Sequence, residues 1–164
     1  VFIILYLCVR FEWKYAVGAV VALIHDVLIV MGIMSLAGRE ISIPVVAALL
    51  TIIGYSLNDT IVVFDRVRED LGLNKSRGLK FVEMVNLSLN RTLSRTLLTS
   101  LTTFFVVVIL YYCGGDAIND FALALIIGVL VGTYSSLFVA TPTVNFLNNW
   151  SEKRALALGK AEGK

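Results

Sequence analysis

Residues 43–64 read IPVVAALLTIIGYSLNDTIVVF, a run of 22 residues with one charged side chain, Asp59. A helix of this length rises about 33 Å, enough to cross a hydrocarbon core of about 30 Å. The run is therefore predicted to be a membrane-spanning helix, with Ser42 as its N-cap and Pro44 in its first turn. The polar patch at residues 54–60 interrupts an otherwise apolar span, so functional side chains are expected there.

The composition of the whole chain extends this prediction beyond one helix. Of 164 residues, 58% are hydrophobic and 16% are charged, and the mean hydropathy is +0.86. A soluble domain is typically about 45–50% apolar and about 25% charged. The composition excludes an ordinary soluble domain, a disordered tail and a disulfide-rich secreted module, and the spans leave no room for a separate soluble catalytic domain. We predict an all-α, polytopic transmembrane helix bundle.

This transmembrane helical domain is predicted to occupy residues 1–150, followed by a polar cytoplasmic tail at 151–164. Four full spans are expected, preceded by a truncated one, at residues 15–37, 43–64, 92–112, 121–147 and, truncated, 1–9. Residues 65–91 are predicted to be a loop, with an amphipathic helix at the membrane surface from Leu79 onward. The basic loop suits contact with anionic lipid, and docking of a partner is the alternative.

The basic residues are distributed unevenly about these spans. Because successive spans cross the membrane in opposite directions, 12 of the 14 basic residues are predicted to lie on the same side of it. Arg39 lies on the other side, and Arg95 lies inside a span. The positive-inside rule therefore predicts that the long loop and the C-terminus are cytoplasmic. The net charge of +2 gives no indication of nucleic-acid binding.

Asp59 is the most informative single residue. A carboxylate in a membrane span costs about 2.5–3.5 kcal/mol on insertion scales, and such residues usually mark ion or proton pathways. Arg95 is predicted at a similar depth in the next span, so pairing the two side chains would offset both costs. Contact with Arg95 would favour the ionised carboxylate, and separation in a second conformation would favour the protonated one. The alternatives are a static ion pair that fixes helix packing, and snorkelling to the interface.

Side chains around Asp59 can form hydrogen bonds. Ser56, Asn58 and Thr60 are expected to line a hydrated proton path or, equally, to satisfy contacts between helices.

His25 and Asp26 form the polar pair predicted nearest the middle of the membrane. Asp26 is a further candidate for the proton pathway, and His25 suits a proton relay. The alternative is a hydrogen-bonded Asp26 inside the bundle beside a His25 that faces a neighbouring helix. One His and no clustered Cys provide too few ligands for a metal site, so no metal or other cofactor is predicted.

The last span carries packing signals. Gly128 and Gly132 form a small-xxx-small pair, which is typical of close helix contacts. Pro142 is predicted to kink the same helix, and Thr141 and Thr143 can bond carbonyl groups that it leaves free.

Enzyme motifs such as HExxH, GxSxG, Walker A and GxGxxG do not occur, so the chain is predicted not to be an enzyme. An intramembrane aspartyl protease would need Asp26 and Asp59 to share a proton. Helix rise predicts that these residues lie about 8–10 Å apart along the membrane normal, which disfavours that alternative.

Several longer motifs carry a family resemblance. The sequence GYSLNDTIVVFDR at 54–66 resembles the signature of the SecF family of bacterial protein-export membrane proteins. Four other stretches resemble the same family in the same order: FEW at 11–13, HD at 25–26, TLSRTLLTSLTT at 92–103 and GTYSS at 132–136.

The resemblance implies a fold of the resistance-nodulation-division type in the bacterial inner membrane. It implies a complex with SecD that works beside the SecYEG channel on a preprotein, with YajC as a further candidate partner and the proton gradient as energy source. In the family, the Asp and Arg that match Asp59 and Arg95 are tied to proton conduction. The family also has a first span and an extracytoplasmic domain, which we expect to precede this segment. A small-molecule exporter of the same superfamily and a structural membrane scaffold are the alternatives.

Overall fold

The computed structural model describes residues 13–73 and 81–162, and their regular structure is helical. The helices are α1 (Trp13–Leu36), α2 (Ile43–Leu73), α3 (Phe81–Cys113), α4 (Asp116–Ser135), a π-helical turn (Ser136–Ala140) and α5 (Thr141–Glu162). Four stretches are long and apolar enough to cross a membrane: Trp13–Leu36, Ile43–Gly72, Phe81–Cys113 and Asp116–Ser151. The predicted all-α, polytopic bundle is confirmed. The predicted truncated span at 1–9 lies outside the described residues.

Two helices are longer than the predicted spans. α2 continues to Leu73 rather than ending at 64, and α3 already begins at Phe81 rather than at 92. The amphipathic segment predicted to lie on the membrane surface is instead the first part of α3. Hydropathy locates the end of the apolar stretch, whereas charged side chains such as Arg66 continue a helix readily. Residues 65–73 and 81–91 of the predicted loop are therefore helical, and residues 74–80 lie outside the described residues.

The turn between α1 and α2 is compact. Gly38 has φ +66°, and its N–H bonds the Ser35 carbonyl while the Arg39 N–H bonds the Met34 carbonyl, each at 3.0 Å. This pair of bonds is a Schellman cap, which requires a left-handed residue at the position of Gly38. The turn reverses the chain within six residues, so α1 and α2 pack antiparallel.

α2 begins as the sequence predicts. The Ser42 carbonyl accepts a hydrogen bond from the Val46 N–H at 3.0 Å, which makes Ser42 the N-cap residue. Pro44 therefore falls in the first turn, where its missing N–H has no helical partner to lose.

Polar contacts mark the two ends of the bundle. At one, called the Lys14 end, the Lys14 ammonium donates to the Asn148 side chain at 2.9 Å and joins α1 to α5. At the other, called the Arg39 end, Arg39 pairs with Asp120 at 2.9 Å and joins the α1–α2 turn to α4. Successive spans therefore alternate in direction, and the C-terminal end of α2 and the N-terminal end of α3 lie at the Lys14 end.

α4 occupies the centre of the bundle and packs against α1, α2 and α3. A Cβ atom at Gly128 would come within 2.3 Å of Ile52, and one at Gly132 within 3.4 Å of the Ser56 Cβ. Both neighbours lie on α2, four residues apart, as the two glycines are on α4. The predicted role of this glycine pair in close helix contact is therefore seen at the α2–α4 interface.

The buried apolar side chains form two clusters, one towards each end of the bundle. The cluster at the Lys14 end includes Tyr15, Phe64 and Val144, and the cluster at the Arg39 end includes Met34 and Leu125. Most of the buried polar side chains within the spans lie between these clusters, so the candidate site is at mid-bundle.

Candidate functional site

Helices α1 to α4 and the π turn each contribute to one layer of buried polar side chains, here called the polar layer. Its members are Asp26 on α1, Ser56, Asp59 and Thr60 on α2, Thr96 and Ser100 on α3, Ser135 on α4 and Ser136 in the π turn. In an apolar environment each such group needs a hydrogen-bond partner, and a carboxylate needs one most. The layer is thus a candidate functional site because it concentrates this cost at one depth.

Asp59 is buried in the polar layer, with 7% of the residue exposed. The Ser136 hydroxyl donates to Asp59 Oδ2 at 3.0 Å. The buried Thr96 hydroxyl, on α3, lies near the same carboxyl group but makes no hydrogen bond of acceptable geometry. One carboxyl group is therefore approached by hydroxyls from two other helical elements.

Ser136 reaches Asp59 from the first position of the π turn. Pro142 follows this turn, and its ring and missing N–H disfavour regular α-helical bonding to the preceding turn. The Thr141 hydroxyl bonds the Ser136 carbonyl at 3.2 Å, and the Thr143 hydroxyl bonds the Val139 carbonyl at 2.7 Å. The structure thus has a π turn where the sequence predicts a kink. The two threonines bond the Ser136 and Val139 carbonyls rather than the Phe138 carbonyl, which lies four residues before Pro142 and is the one that its missing N–H leaves free, so that prediction is wrong.

Arg95 is not joined to Asp59 by an ion pair within 4 Å, so the expected direct pair is absent from this conformation. Its side chain is exposed on the outside of the bundle, and the neighbouring Thr96 is the residue that turns inward. Adjacent residues of a helix point about 100° apart, which explains why only one of them faces Asp59. Its positive charge nevertheless acts on the Asp59 carboxylate.

Asp59 and Arg95 lie at a similar depth in the bundle, as predicted, although α2 and α3 are both longer than expected. Asp59 lies fourteen residues before the end of α2, and Arg95 lies fourteen residues after the start of α3. Each residue is therefore about 21 Å from its helix end.

Asp26 is the other buried carboxylate of the layer, with 1% of the residue exposed. The Ser56 hydroxyl donates to Asp26 Oδ2 at 2.6 Å, and His25 Nδ1 lies 3.1 Å from Oδ1. Gly132 of α4 lies beside this contact, since a Cβ there would be 3.8 Å from Asp26 Oδ2, an ordinary van der Waals distance. Asp26 is therefore hydrogen-bonded inside the bundle, which is compatible with both hypotheses for this pair, and the His25 side chain is 30% exposed.

The remaining candidates differ in orientation. Thr60 is buried in the polar layer, whereas Asn58 is exposed on the outside of α2. Asp26 and Asp59 bond different serines, and no hydrogen bond joins the two carboxyl groups. They are nevertheless nearer in depth than the 8–10 Å expected, because Ser56, which bonds Asp26, is three residues or about 4.5 Å of rise from Asp59.

A buried carboxylate outside the polar layer was missed by the sequence analysis. Asp70, near the end of α2, is fully buried and accepts bonds from the Ser88 hydroxyl at 2.8 Å and from Arg91 Nη1 at 2.7 Å. Arg66 Nε lies 3.5 Å from the same carboxylate. In the sequence, Asp70 is one of several charges in a polar stretch, and only the i,i+4 spacing to Arg66 indicates a partner. This cluster ties α2 to α3 at the Lys14 end.

No metal site is evident in the part of the chain that the structure describes. Within residues 13–73 and 81–162, no three His, Cys, Asp or Glu side chains come together as ligands.

Comparison with known proteins decides the family. A family model described as "Protein export membrane protein SecD/SecF, C-terminal" matches residues 1–150. The chain belongs to the SecD/SecF family. Its motifs at 54–66, 92–103 and 132–136 supply the members of the polar layer on α2, on α3 and on α4 with the π turn.

Curated SecD/SecF relatives agree with this assignment. The protein translocase subunit SecF of Rhodothermus marinus is 54% identical, over 87% of this chain and 47% of the relative. SecF of Vibrio alginolyticus is 52% identical over 85% of this chain and 44% of its own length. The chain therefore spans about half the length of the curated SecF relatives that it matches, and it corresponds to the C-terminal part of SecF.

A solved SecD/SecF structure has the same fold. The crystal structure of SecDF, described as a translocon-associated membrane protein from Thermus thermophilus, matches with a TM-score of 0.84 and 51% identity. The match covers 89% of this chain and 20% of the SecDF chain. The curated Thermus thermophilus relative is a single protein translocase subunit SecDF, 52% identical over 87% of this chain and 19% of its length. Family, helices and neighbour together make this chain part of a multi-pass helical membrane protein.

Proposed function

We propose that this chain is the C-terminal membrane part of a Sec protein-export subunit that uses proton flow across the membrane to promote preprotein translocation. The observation that carries the proposal is Asp59, a buried carboxyl group at mid-bundle that a mobile proton can neutralise. Its donor Ser136 and the nearby Thr96 hydroxyl stand on separate helical elements, so a shift between helices changes the environment of the carboxylate.

The positions of the charges support a two-state mechanism. In the present conformation Asp59 is bonded to Ser136, and Arg95 acts on it without direct contact. Rotation of α3 by about one residue, or about 100°, would exchange Thr96 for Arg95 beside Asp59. Asp59 would keep its negative charge beside Arg95 and take up a proton when Arg95 leaves. Asn58 is on the exposed face of α2 and would act only if a hydrated path reached that face, whereas Thr60 and Asp26 belong to the buried layer.

SecD is the first partner in this proposal, because the Thermus relative joins SecD and SecF in one chain by its name. α3 offers the surface for such a partner: its outer face exposes Arg95 together with large apolar residues such as Leu98 and Phe105. An arginine on that face is costly against lipid and favourable against a partner that provides polar groups. The SecYEG channel and YajC complete the proposed assembly, and the proton gradient replaces any bound cofactor.

The proposed location is the bacterial cytoplasmic membrane, with the Lys14 end facing the cytoplasm. The basic residues support this orientation, since Lys14, Arg66, Arg91 and Arg154 all lie towards that end and Arg39 lies at the other.

Asp59→Asn in the full-length protein tests the proposal. The substitution keeps the size and the hydrogen bond to Ser136 but removes the carboxyl group that exchanges the proton. We expect assembly with the partner subunit to persist and the stimulation of export by a proton gradient to disappear. Asp116→Asn, at an exposed position at the start of α4, is the matched control and should export normally.

Arg95→Ala separates the mechanism from a structural role. Loss of proton-stimulated export with normal assembly is expected. The proposal fails if Asp59→Asn still responds to the gradient, or if Arg95→Ala acts only by preventing assembly.

A further inference from the structure

His25 and Asp26 form a polar pair at the middle of α1 that the mechanism above leaves with no separate task. Asp26 is the fourteenth of the 24 residues of the helix and is 1% exposed, whereas the His25 side chain is 30% exposed on the outside of the bundle. The Nδ1 of the imidazole lies 3.1 Å from Asp26 Oδ1. The pair therefore connects the outer surface of the bundle to its buried interior.

His25 is the group that can balance the negative charge of Asp26. Among the described residues, the ion pair of Asp26 is with His25, and its other hydrogen bond comes from the neutral Ser56 hydroxyl. At mid-membrane a net charge is expensive, so the pair is most stable with one bound proton, which leaves its sum of charges at zero. Either the imidazole or the carboxyl group can hold that proton without changing the sum.

The neighbouring elements provide few other titratable groups. α2 contributes Asp59, one helical turn beyond Ser56, and Tyr55, whose hydroxyl bonds Ser100 of α3 at 3.1 Å. α4 presents Gly132 to the pair, and its Tyr134 is exposed. The π turn carries no titratable residue, and the charged residues of α5 begin at 152, towards the Lys14 end.

Asp59 is thus the group to which the pair can couple. Ser56, which bonds Asp26, and Asp59 are three residues apart on α2. On the facing span, Gly132 beside Asp26 and Ser136 beside Asp59 are four residues apart. The two carboxyl groups therefore lie about one helical turn apart. Ionising both carboxyl groups without a balancing proton would place two negative charges close together where solvent screens them weakly. The occupancy of one site therefore affects the other.

We propose that His25 and Asp26 form a second proton-binding site, which holds one proton between imidazole Nδ1 and carboxylate Oδ1 and is coupled to Asp59 across the α2–α4 interface. When the proton passes inward, the Nδ1–H bond breaks, the Oδ1–H bond forms, and the nitrogen keeps the electron pair. The pair stays neutral throughout. The coupling to Asp59 rests on the proposed function, whereas proton binding by the pair does not.

Infrared titration of the full-length protein in lipid vesicles tests the binding directly. If the proton is on Asp26, we expect a protonated-carboxyl band that Asp26→Asn removes. If it is on His25, we expect an imidazolium signal that His25→Gln removes, and a carboxyl band of protonated Asp26 should then appear. His25→Gln is the safer variant for folding because the side chain is at the outer surface. Asp116→Asn, exposed and outside the polar layer, is the control for the carboxyl spectrum. The inference is overturned if both variants leave both signals unchanged over the pH range in which the protein stays folded.

Export measurements test the coupling separately. We expect Asp26→Asn to lower proton-stimulated export about tenfold, the effect of one hydrogen bond to a charged group in the rate-determining state. If Asp59→Asn abolishes the stimulation while Asp26→Asn changes neither export nor the spectrum, the proposed function stands and the second site does not. If Asp59→Asn leaves the stimulation intact, the proposed function fails, and the infrared titration alone still decides whether the pair binds a proton.

Discussion

The Ser136 hydroxyl donates to the Asp59 carboxylate at 3.0 Å, although 77 positions separate the two residues in the chain. Ser136 opens a π-helical turn, and Asp59 lies on a regular α-helix. The bond therefore depends on both the position of α2 and the irregular winding of the last span.

Ser136→Ala should weaken proton-stimulated export without preventing assembly. The variant removes a hydrogen bond to a buried carboxylate, and such bonds contribute about 1.5–3 kcal/mol. Export driven by a proton gradient, measured against export without it, is the readout. Ser135→Ala is the matched control, because this neighbouring serine is equally buried and bonds only the Gly132 carbonyl of its own helix, at 3.4 Å. Equal effects of the two variants would contradict a special role for Ser136.

Pro142→Ala should act through the same bond. With an N–H restored at 142, the last span can wind as a regular α-helix, and the loss of the π turn rotates Ser136 away from Asp59. Proton-stimulated export should fall about as far as in Ser136→Ala, and the double variant should be no worse than either single one. Additive losses in the double variant would show that Pro142 acts elsewhere.

Gly128→Ala should destabilise the bundle more than Gly132→Ala does. A Cβ at Gly128 would lie 2.3 Å from two carbon atoms of Ile52, whereas a Cβ at Gly132 meets Ser56 at 3.4 Å, an ordinary contact. Overpacking of this kind costs about 1–3 kcal/mol, which thermal unfolding in detergent can measure.

Ile52→Ala supplies the test of cause. It removes the atoms that the new methyl group would meet. The double variant should therefore lose less stability than the sum of the losses in Gly128→Ala and Ile52→Ala. Simple addition would contradict the steric explanation.

Asp70→Asn should loosen the Lys14 end of α2 and α3. The variant weakens the bonds from Ser88 and Arg91 to a fully buried carboxylate, at an expected cost of about 1–3 kcal/mol. Hydrogen exchange should rise at these helix ends and stay unchanged at the polar layer. Glu69→Gln, next to it in sequence, is the control: Glu69 is half-exposed and pairs with Arg66 at the surface, where such a pair contributes about 0–1 kcal/mol. Equal protection in Asp70→Asn and the wild type would count against the cluster as a tie between helices.

The apolar patterning predicted the four spans, and the cost of burying charge selected Asp59 and Asp26 correctly as interior residues. Equal depth of Asp59 and Arg95 was also predictable, because errors in the two helix ends cancelled. The rotation of α3 about its own axis was not predictable. The hydropathy of α3 does not show whether Arg95 or Thr96 faces the interior of the bundle. That choice depends on packing of four helices at once.

Contacts between distant residues were the other limit. The partners of Asp70 on α3 lie 18 and 21 residues away in the chain, and apart from its i,i+4 spacing to Arg66 the local pattern does not distinguish Asp70 from the solvated charges beside it. In the sequence, Ser136 is only the last residue of the GTYSS motif at 132–136, and nothing there assigns it a partner. Its position four residues after Gly132, on the face that meets α2, was the available signal.

The length of α2 beyond Asp59 makes the helix a lever. Fourteen residues, or about 21 Å of rigid helix, separate Asp59 from Leu73, so a tilt of about 5° at the carboxylate displaces the far end by about 2 Å. The Asp70 cluster clamps that far end to α3. Under the proposed function, the gain or loss of a single proton at Asp59 would therefore move the ends of α2 and α3 together at the membrane border.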